Sequence, residues 1–176
     1  MSLFVPRFEE TALVREAGAE VVGGDPVAIR LLTDSDATGG ALSTVRVTLA
    51  AGADGARPHV HHRSAEMFYV LDGAAEVLSG DDVVTAERGD LIVVPPDRPH
   101  SPSPRLRSCR GTPTAAVPGA TADLLVVIAP GVERFEYFRH LRRIRLGELT
   151  PESLLEVQER YDNHFLESAA WDARRR

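Results

Sequence analysis

Short apolar runs separated by turn residues dominate the middle of the chain. Met67–Leu71, Ala75–Leu78, Val83–Ala86 and Leu91–Val94 are rich in β-branched and apolar residues. Turn signals divide them every eight or nine residues: Asp72–Gly73, Gly80–Asp81, Arg88–Gly89, then Pro95 to Pro99. Regular short strands with this punctuation predict a sandwich or barrel, not a parallel α/β sheet. Ahead of them, Ala41–Ala50 alternates, with Val45, Val47 and Leu49 on one face. After them, Asp123–Ile128 (DLLVVI) predicts a buried strand that closes the barrel. Residues 101–121, rich in Pro, Gly, Ser and Thr, predict a long loop starting beside His100, where it can border the mouth of a site or form a plain surface excursion.

The period then changes. In Val132–Ile144 (VERFEYFRHLRRI), Phe135, Phe138, Leu141 and Ile144 fall at helical spacing against an arginine-rich face. Such a stripe packs against the barrel or a second subunit more often than around a ligand. Thr150–Pro151 opens a second predicted helix, with an N-cap residue followed by proline at the first helical position. It runs through Leu154, Leu155, Val157 and Tyr161 towards Phe165. The chain is thus expected to be one domain, all-β in class with a C-terminal helical extension. Residues 1–40 form an N-terminal segment whose strands pack on the barrel, 41–130 the barrel, and 131–176 the helical tail.

Composition narrows the function classes. A formal charge of −6 on 176 residues argues against a phosphate-backbone partner, which needs a basic footprint. All the basic residues are arginines. The single cysteine, Cys109, excludes an internal disulfide, fits a reducing compartment, and sits in a loop rather than at a catalytic position. No apolar run approaches the roughly 18 residues that a membrane span needs. The N-terminus, MSLFVPRFEE, lacks the pattern of a secretory signal. These features predict a cytoplasmic protein with no nucleic-acid and no membrane partner.

The candidate chemistry lies in His59, His61, Glu66 and His100, three imidazoles and a carboxylate on short strand-like segments. His59 and His61 are two apart, so strand alternation points both rings to one side and His62 to the other. Glu66 returns to the ligand side if the strand breaks near Arg63–Ser64 and restarts. Neutral imidazole with carboxylate suits one divalent transition metal: iron, nickel, manganese, cobalt, copper or zinc. Four protein ligands at an octahedral centre leave two positions for substrate, water or dioxygen. Phe68 and Val70 share the face of Glu66 and are expected, with Val45 and Val47, to line the substrate pocket. Tyr69 lies on the other face, Asp97 suits the turn before His100, and His140 and His164 belong to packing or surface.

These residues carry a resemblance to the cupin superfamily. Its first motif is G, five residues, HxH, three or four residues, E, six residues, G. His59, His61, Glu66 and Gly73 match, and Ala53 stands at the leading glycine position. The second motif is G, five residues, PxG, two residues, H, three residues, N. Gly89, Pro95 and His100 match, while Asp97 and Pro104 replace the inner glycine and the asparagine. Aspartate tolerates left-handed turn geometry better than most residues. The resemblance covers residues 41–130 and implies a double-stranded β-helix (jelly-roll) barrel with a metal in its lumen, and a homodimer. Ala129–Pro130–Gly131 followed by Phe135 and Phe138 is similar to the tail of bacterial quercetin-dioxygenase-like cupins.

The expected function is therefore a metal-dependent oxygenase acting with dioxygen on a small aromatic, polyphenolic or polyketide substrate. In it Glu66 serves as ligand or, with a raised pKa, as the catalytic base. The alternatives are a non-oxidative metal-dependent cyclase or isomerase, and a non-catalytic cupin that binds a small molecule.

Overall fold

A computed structural model describes residues 8–50, 53, 55–104, 121–169 and 172. Ten strands carry the fold: β1 (Val21–Gly24), β2 (Val27–Thr33), β3 (Ser43–Leu49), β4 (His59–Val60), β5 (Ala65–Ser79), β6 (Asp82–Glu87), β7 (Leu91–Val94), β8 (His100–Pro104), β9 (Ala122–Ala129) and β10 (His164–Phe165). Every pairing among them is antiparallel, in the order β1-β2-β3-β9-β5-β8-β4-β10, with β6 and β7 also on β5. The all-β class expected from the strand pattern, and the jelly-roll barrel that the resemblance implies, are what the chain forms. Among the described residues no helix is long and apolar enough to cross a membrane.

β5 holds the two halves together. Its first half lies between β9 and β7, its second between β6 and β8. The Asp72–Gly73 turn expected to divide this stretch is instead an irregularity inside one 15-residue strand, where the register on β9 shifts between Val70 and Asp72. Gly73 has φ +73, and a Cβ there would collide with the Thr121 carbonyl oxygen. The glycine permits a close crossing of two strands, not a reversal.

Strand alternation decides what is buried. β9 buries Ala122, Leu124, Val126 and Ile128, every second residue. The first three meet Val45 and Leu49 from β3 and Phe68 and Val70 from β5. Removing each such large side chain from water stabilises the fold by about 1.5–3 kcal/mol, as an upper estimate. The opposite face of β5 and β7 leaves Tyr69, Leu91 and Val93 exposed.

Two expectations about the second half of the chain need correction. The segment after His100 does not leave the barrel at once. β8 continues to Pro104 and pairs with Ala75–Ser79 of β5. The rest of the expected loop, 105–120 with Cys109, lies outside the described residues. In the tail, the first predicted helix is present as α1 (Phe135–Arg145). The Asp34 carboxylate accepts the Arg134 and Phe135 backbone N–H groups at 2.8 and 3.1 Å, satisfying donors that a helix start leaves open. The second predicted helix is not continuous. Pro151–Val157 is 3-10 helical, α2 covers only Gln158–Tyr161, and Asp162 then adopts φ +48. His164 and Phe165, expected in the helical tail, form β10 on β4 instead. Pairing with β4 gives their backbone groups partners within the barrel, which outweighs helix propensity.

Candidate metal and substrate site

His59 on β4 faces His100 on β8 across the ladder, so the two rings arrive from adjacent strands. His61 follows β4, and Glu66 comes from β5, where it pairs with Val94 and Ile128. The break expected near Arg63–Ser64 is present, and its cause lies far along the chain. The Asp162 carboxylate accepts the backbone N–H groups of His62, Arg63 and Ser64 at 2.9–3.3 Å. The Ser64 hydroxyl donates to the Pro130 carbonyl at 2.8 Å. These bonds bend the chain out of strand geometry and restart the alternation at Ala65.

All four side chains are buried and offer atoms within 4.8 Å of one another. Glu66 Oε2 is 3.8 Å from His59 Nε2, 3.5 Å from His61 Nε2 and 2.7 Å from His100 Nε2. Each imidazole spends its Nδ1–H on a main-chain carbonyl: Arg57 for His59 and Arg98 for His100, both at 2.8 Å, and Asp162 for His61. A neutral ring that donates from Nδ1 leaves a lone pair on Nε2. Three lone pairs and a carboxylate thus converge, an arrangement that repels itself unless a cation or a proton sits among them. The donor set therefore fits a divalent metal, with the ring orientations already fixed from behind. The cluster can hold a metal ion.

Electrostatics agree. Burial pulls His59 down to about 4, helped by His100 and His61 and opposed by Glu66. Burial also lowers His61, with the Arg134 charge adding to it. Burial alone would raise Glu66, but the surrounding imidazoles, His100 first, then His59 and His61, hold it well below the usual carboxylate range. His59 and His61 are neutral and Glu66 is ionised near neutral pH, the states that ligation requires. The raised pKa that a base role for Glu66 would need is absent here.

Above the cluster lies a cavity of about 280 Å³. Val45, Val47 and Phe68 line it together with His59 and Glu66. Val70, expected there, does not. It is 1% exposed within the apolar core, two residues beyond Phe68 along β5. His62 points away as its parity predicts and bonds Asp97 at 2.6 Å, both side chains being largely exposed. Asp97 has φ +61, the left-handed turn residue expected before His100.

Several lining residues escaped the sequence reading. Tyr137, Phe138 and Leu141 from α1 and Leu154, Asn163 and Phe165 from the tail close over the cavity. The aromatic stripe of α1 therefore packs on the barrel and borders the ligand space as well. Arg134 is 2% exposed, and its Nη2 donates to His61 Nε2 at 2.9 Å. Its Nη1 reaches the Tyr161 carbonyl at 3.3 Å. No local pattern marks Arg134 as different from the other tail arginines. The Asp162–Asn163 pair does carry a turn signal that argues against one long helix.

Residues 45–104 match the family model described as Cupin domain. That match bears out the resemblance to the cupin superfamily, and the fold is an antiparallel β barrel. No curated protein matches it. Among solved structures, the polyketide cyclase RemF from Streptomyces resistomycificus is 19% identical with a TM-score of 0.51, covering 69% of this chain and 80% of that one. An RmlC-like cupin from Shewanella frigidimarina is 20% identical with a TM-score of 0.53, covering 72% and 96%. The nucleoside dehydratase Pac13 is 17% identical with a TM-score of 0.50, covering 69% and 83%. Identity this low speaks for the fold alone.

Proposed function

We propose that His59, His61, Glu66 and His100 hold one divalent transition metal, and that the protein is a metal-dependent oxygenase of a small aromatic, polyphenolic or polyketide molecule, with dioxygen as co-substrate. One observation carries this reading: three Nε2 lone pairs and an ionised carboxylate meet at the floor of an apolar cavity. When bound, the metal supplies Lewis acidity and a template for an enol or phenol oxygen.

The protein's own residues do the rest. Phe68, Val45 and Val47 exclude water from the floor and offer flat apolar walls. Phe138 and Leu141 cover the guest from above. Glu66, ionised and held low, acts as a ligand in this arrangement. The candidate metals are iron, nickel, manganese, cobalt, copper and zinc. The same reading has the protein working in the cytoplasm as a homodimer. The exposed apolar face of Tyr69, Leu91 and Val93 supports the homodimer, and light scattering on the purified protein tests it.

A second reading is a non-oxidative cyclase or isomerase. It is favoured by Tyr137, a cavity phenol pushed up to about 12 by burial and so held protonated as a donor.

Elemental analysis of protein purified without chelators, followed by oxygen uptake with flavonols and polyhydroxynaphthalenes, tests the proposal. About one equivalent of metal and substrate-dependent oxygen consumption are expected. Turnover that is unchanged without oxygen selects the second reading, and absence of bound metal after reconstitution removes both.

A further inference from the structure

Among the described residues, the buried side-chain nitrogens without a hydrogen-bond partner are Arg134 Nε and Asn163 Nδ2. Both belong to residues that line the cavity. An unmet buried donor costs about 1–3 kcal/mol, so two on residues that line one cavity call for an acceptor that a ligand can bring. Arg134 Nη1 bonds the carbonyl of Tyr161, two residues before Asn163, which ties Arg134 to the segment that carries Asn163.

The charges around the cavity say which acceptor. Arg134 is buried, Arg57 is exposed and stacks over Phe165, and Glu66 carries the opposing charge. His59 is neutral and Tyr137 is protonated near neutral pH. Glu66 is the one carboxylate among the lining residues, and it is engaged with the three imidazoles. Two cations and a phenol donor thus share one lining carboxylate, while Asp162 and Asp34, outside the lining, also act on Arg134. The Arg134 edge that carries Nε also carries Nη2, the side-on fork that matches a carboxylate. Nη2 rests on the His61 lone pair, which leaves Nε as the free donor of that edge. The Asp34 bond to the Arg134 backbone N–H and the bonds of Nη1 and Nη2 hold this fork in place before any ligand arrives.

We propose that the cavity selects aromatic oxyanions, and that Arg134 and Asn163 are the residues that receive the anionic oxygen. The apolar walls take the rings. The guanidinium and the carboxamide discriminate an anion from a neutral molecule of the same shape. This rests on the cavity being the substrate site of the function proposed above.

Calorimetric titration with three probes tests it: 2-naphthoate, 4-nitrophenolate at a pH where it is ionised, and the uncharged 2-naphthalenemethanol. Each is titrated into protein as purified and after chelator treatment, with Arg134→Lys, Asn163→Asp and Asn163→Ala alongside. The anions are expected to bind roughly tenfold or more tightly than the alcohol, with and without the chelator. Preference for naphthoate over nitrophenolate assigns the fork to a carboxylate, and the reverse assigns it to a phenolate. Arg134→Lys and Asn163→Asp should each erase most of the preference, and Asn163→Ala should weaken both anions without changing the alcohol. Equal binding of all three probes overturns the proposal. So does a preference that survives Arg134→Lys and both Asn163 variants, or one that vanishes with the metal alone. Failure of the metal-dependent reading leaves a different mark: no metal is found, yet the arginine-dependent preference persists.

Discussion

Asp162 and His61, 101 residues apart, are joined by two kinds of contact. The Asp162 main-chain oxygen accepts the Nδ1–H of His61, which fixes the tautomer and aims Nε2 at Glu66. The Asp162 side chain binds the backbone of the next three residues, His62 to Ser64. Against the cost of burial, hydrogen bonds from the His62 and Arg63 N–H groups keep its carboxyl below the usual range. One residue of the tail thus holds both the ring and the bend that brings Glu66 to the same side.

Replacing Asp162 by Ala keeps the carbonyl but removes the acceptor of three N–H groups. Supporting groups behind ligands of this kind are worth about 10–100-fold in metal affinity. Competition titration with a zinc chelator should show a loss of that size. Metal affinity equal to that of the unmodified protein would leave the residue with a folding role only.

Glu66→Gln and His100→Ala remove a charge and a lone pair from the cluster. Metal content after purification should fall to about a tenth or less of the unmodified protein, as expected for loss of one of four ligands. Glu66→Gln should nonetheless fold, because the amide keeps the shape. Full metal content in both variants would displace the metal site from these residues.

Acid should destabilise the chelator-treated protein. His59 falls from an ordinary 6.5 to about 4 in the folded state, so the unfolded chain binds its proton first as pH drops. Its contribution, on the order of 3 kcal/mol, is complete above about 6.5 and is lost on the way to about 4. Glu66, held low, acts in the same direction below its ordinary 4.5. Thermal midpoints across this window should fall steadily with pH. A flat profile would mean that these groups are not buried neutral and ionised as found.

Gly73→Ala tests the continuous β5. At φ +73 a side chain is strained, and the Cβ meets the Thr121 carbonyl oxygen. Destabilisation of at least about 1–3 kcal/mol is expected in urea denaturation, because backbone rather than a flexible side chain is in the way. A neutral effect would be consistent with the flexible turn that the dipeptide first suggests.

What the sequence determined by itself was the class of fold and the facing of side chains. Period-two alternation in β3, β5 and β9 records which side of a strand meets the interior, and it placed His59 with His61, Glu66 with Phe68, and Val45 with Val47. The turn chemistry of Asp97 was also legible, because a left-handed residue is a local requirement. The extent of the cavity was not legible: Val70 shares the face of Phe68, yet does not line the cavity, and only the packing of neighbouring strands sets that limit. Nor was the continuity of β5, since Gly73 has the same signature whether it turns a chain or lets another pass. The tertiary structure alone decided that Arg134, Asp162 and Asn163 reach the site. They lie on a tail whose local pattern describes a surface helix, and they meet the barrel across about 70 to 100 residues of chain. Contacts over such separations arise from how sheets curve and tails dock, and no short-range periodicity encodes them.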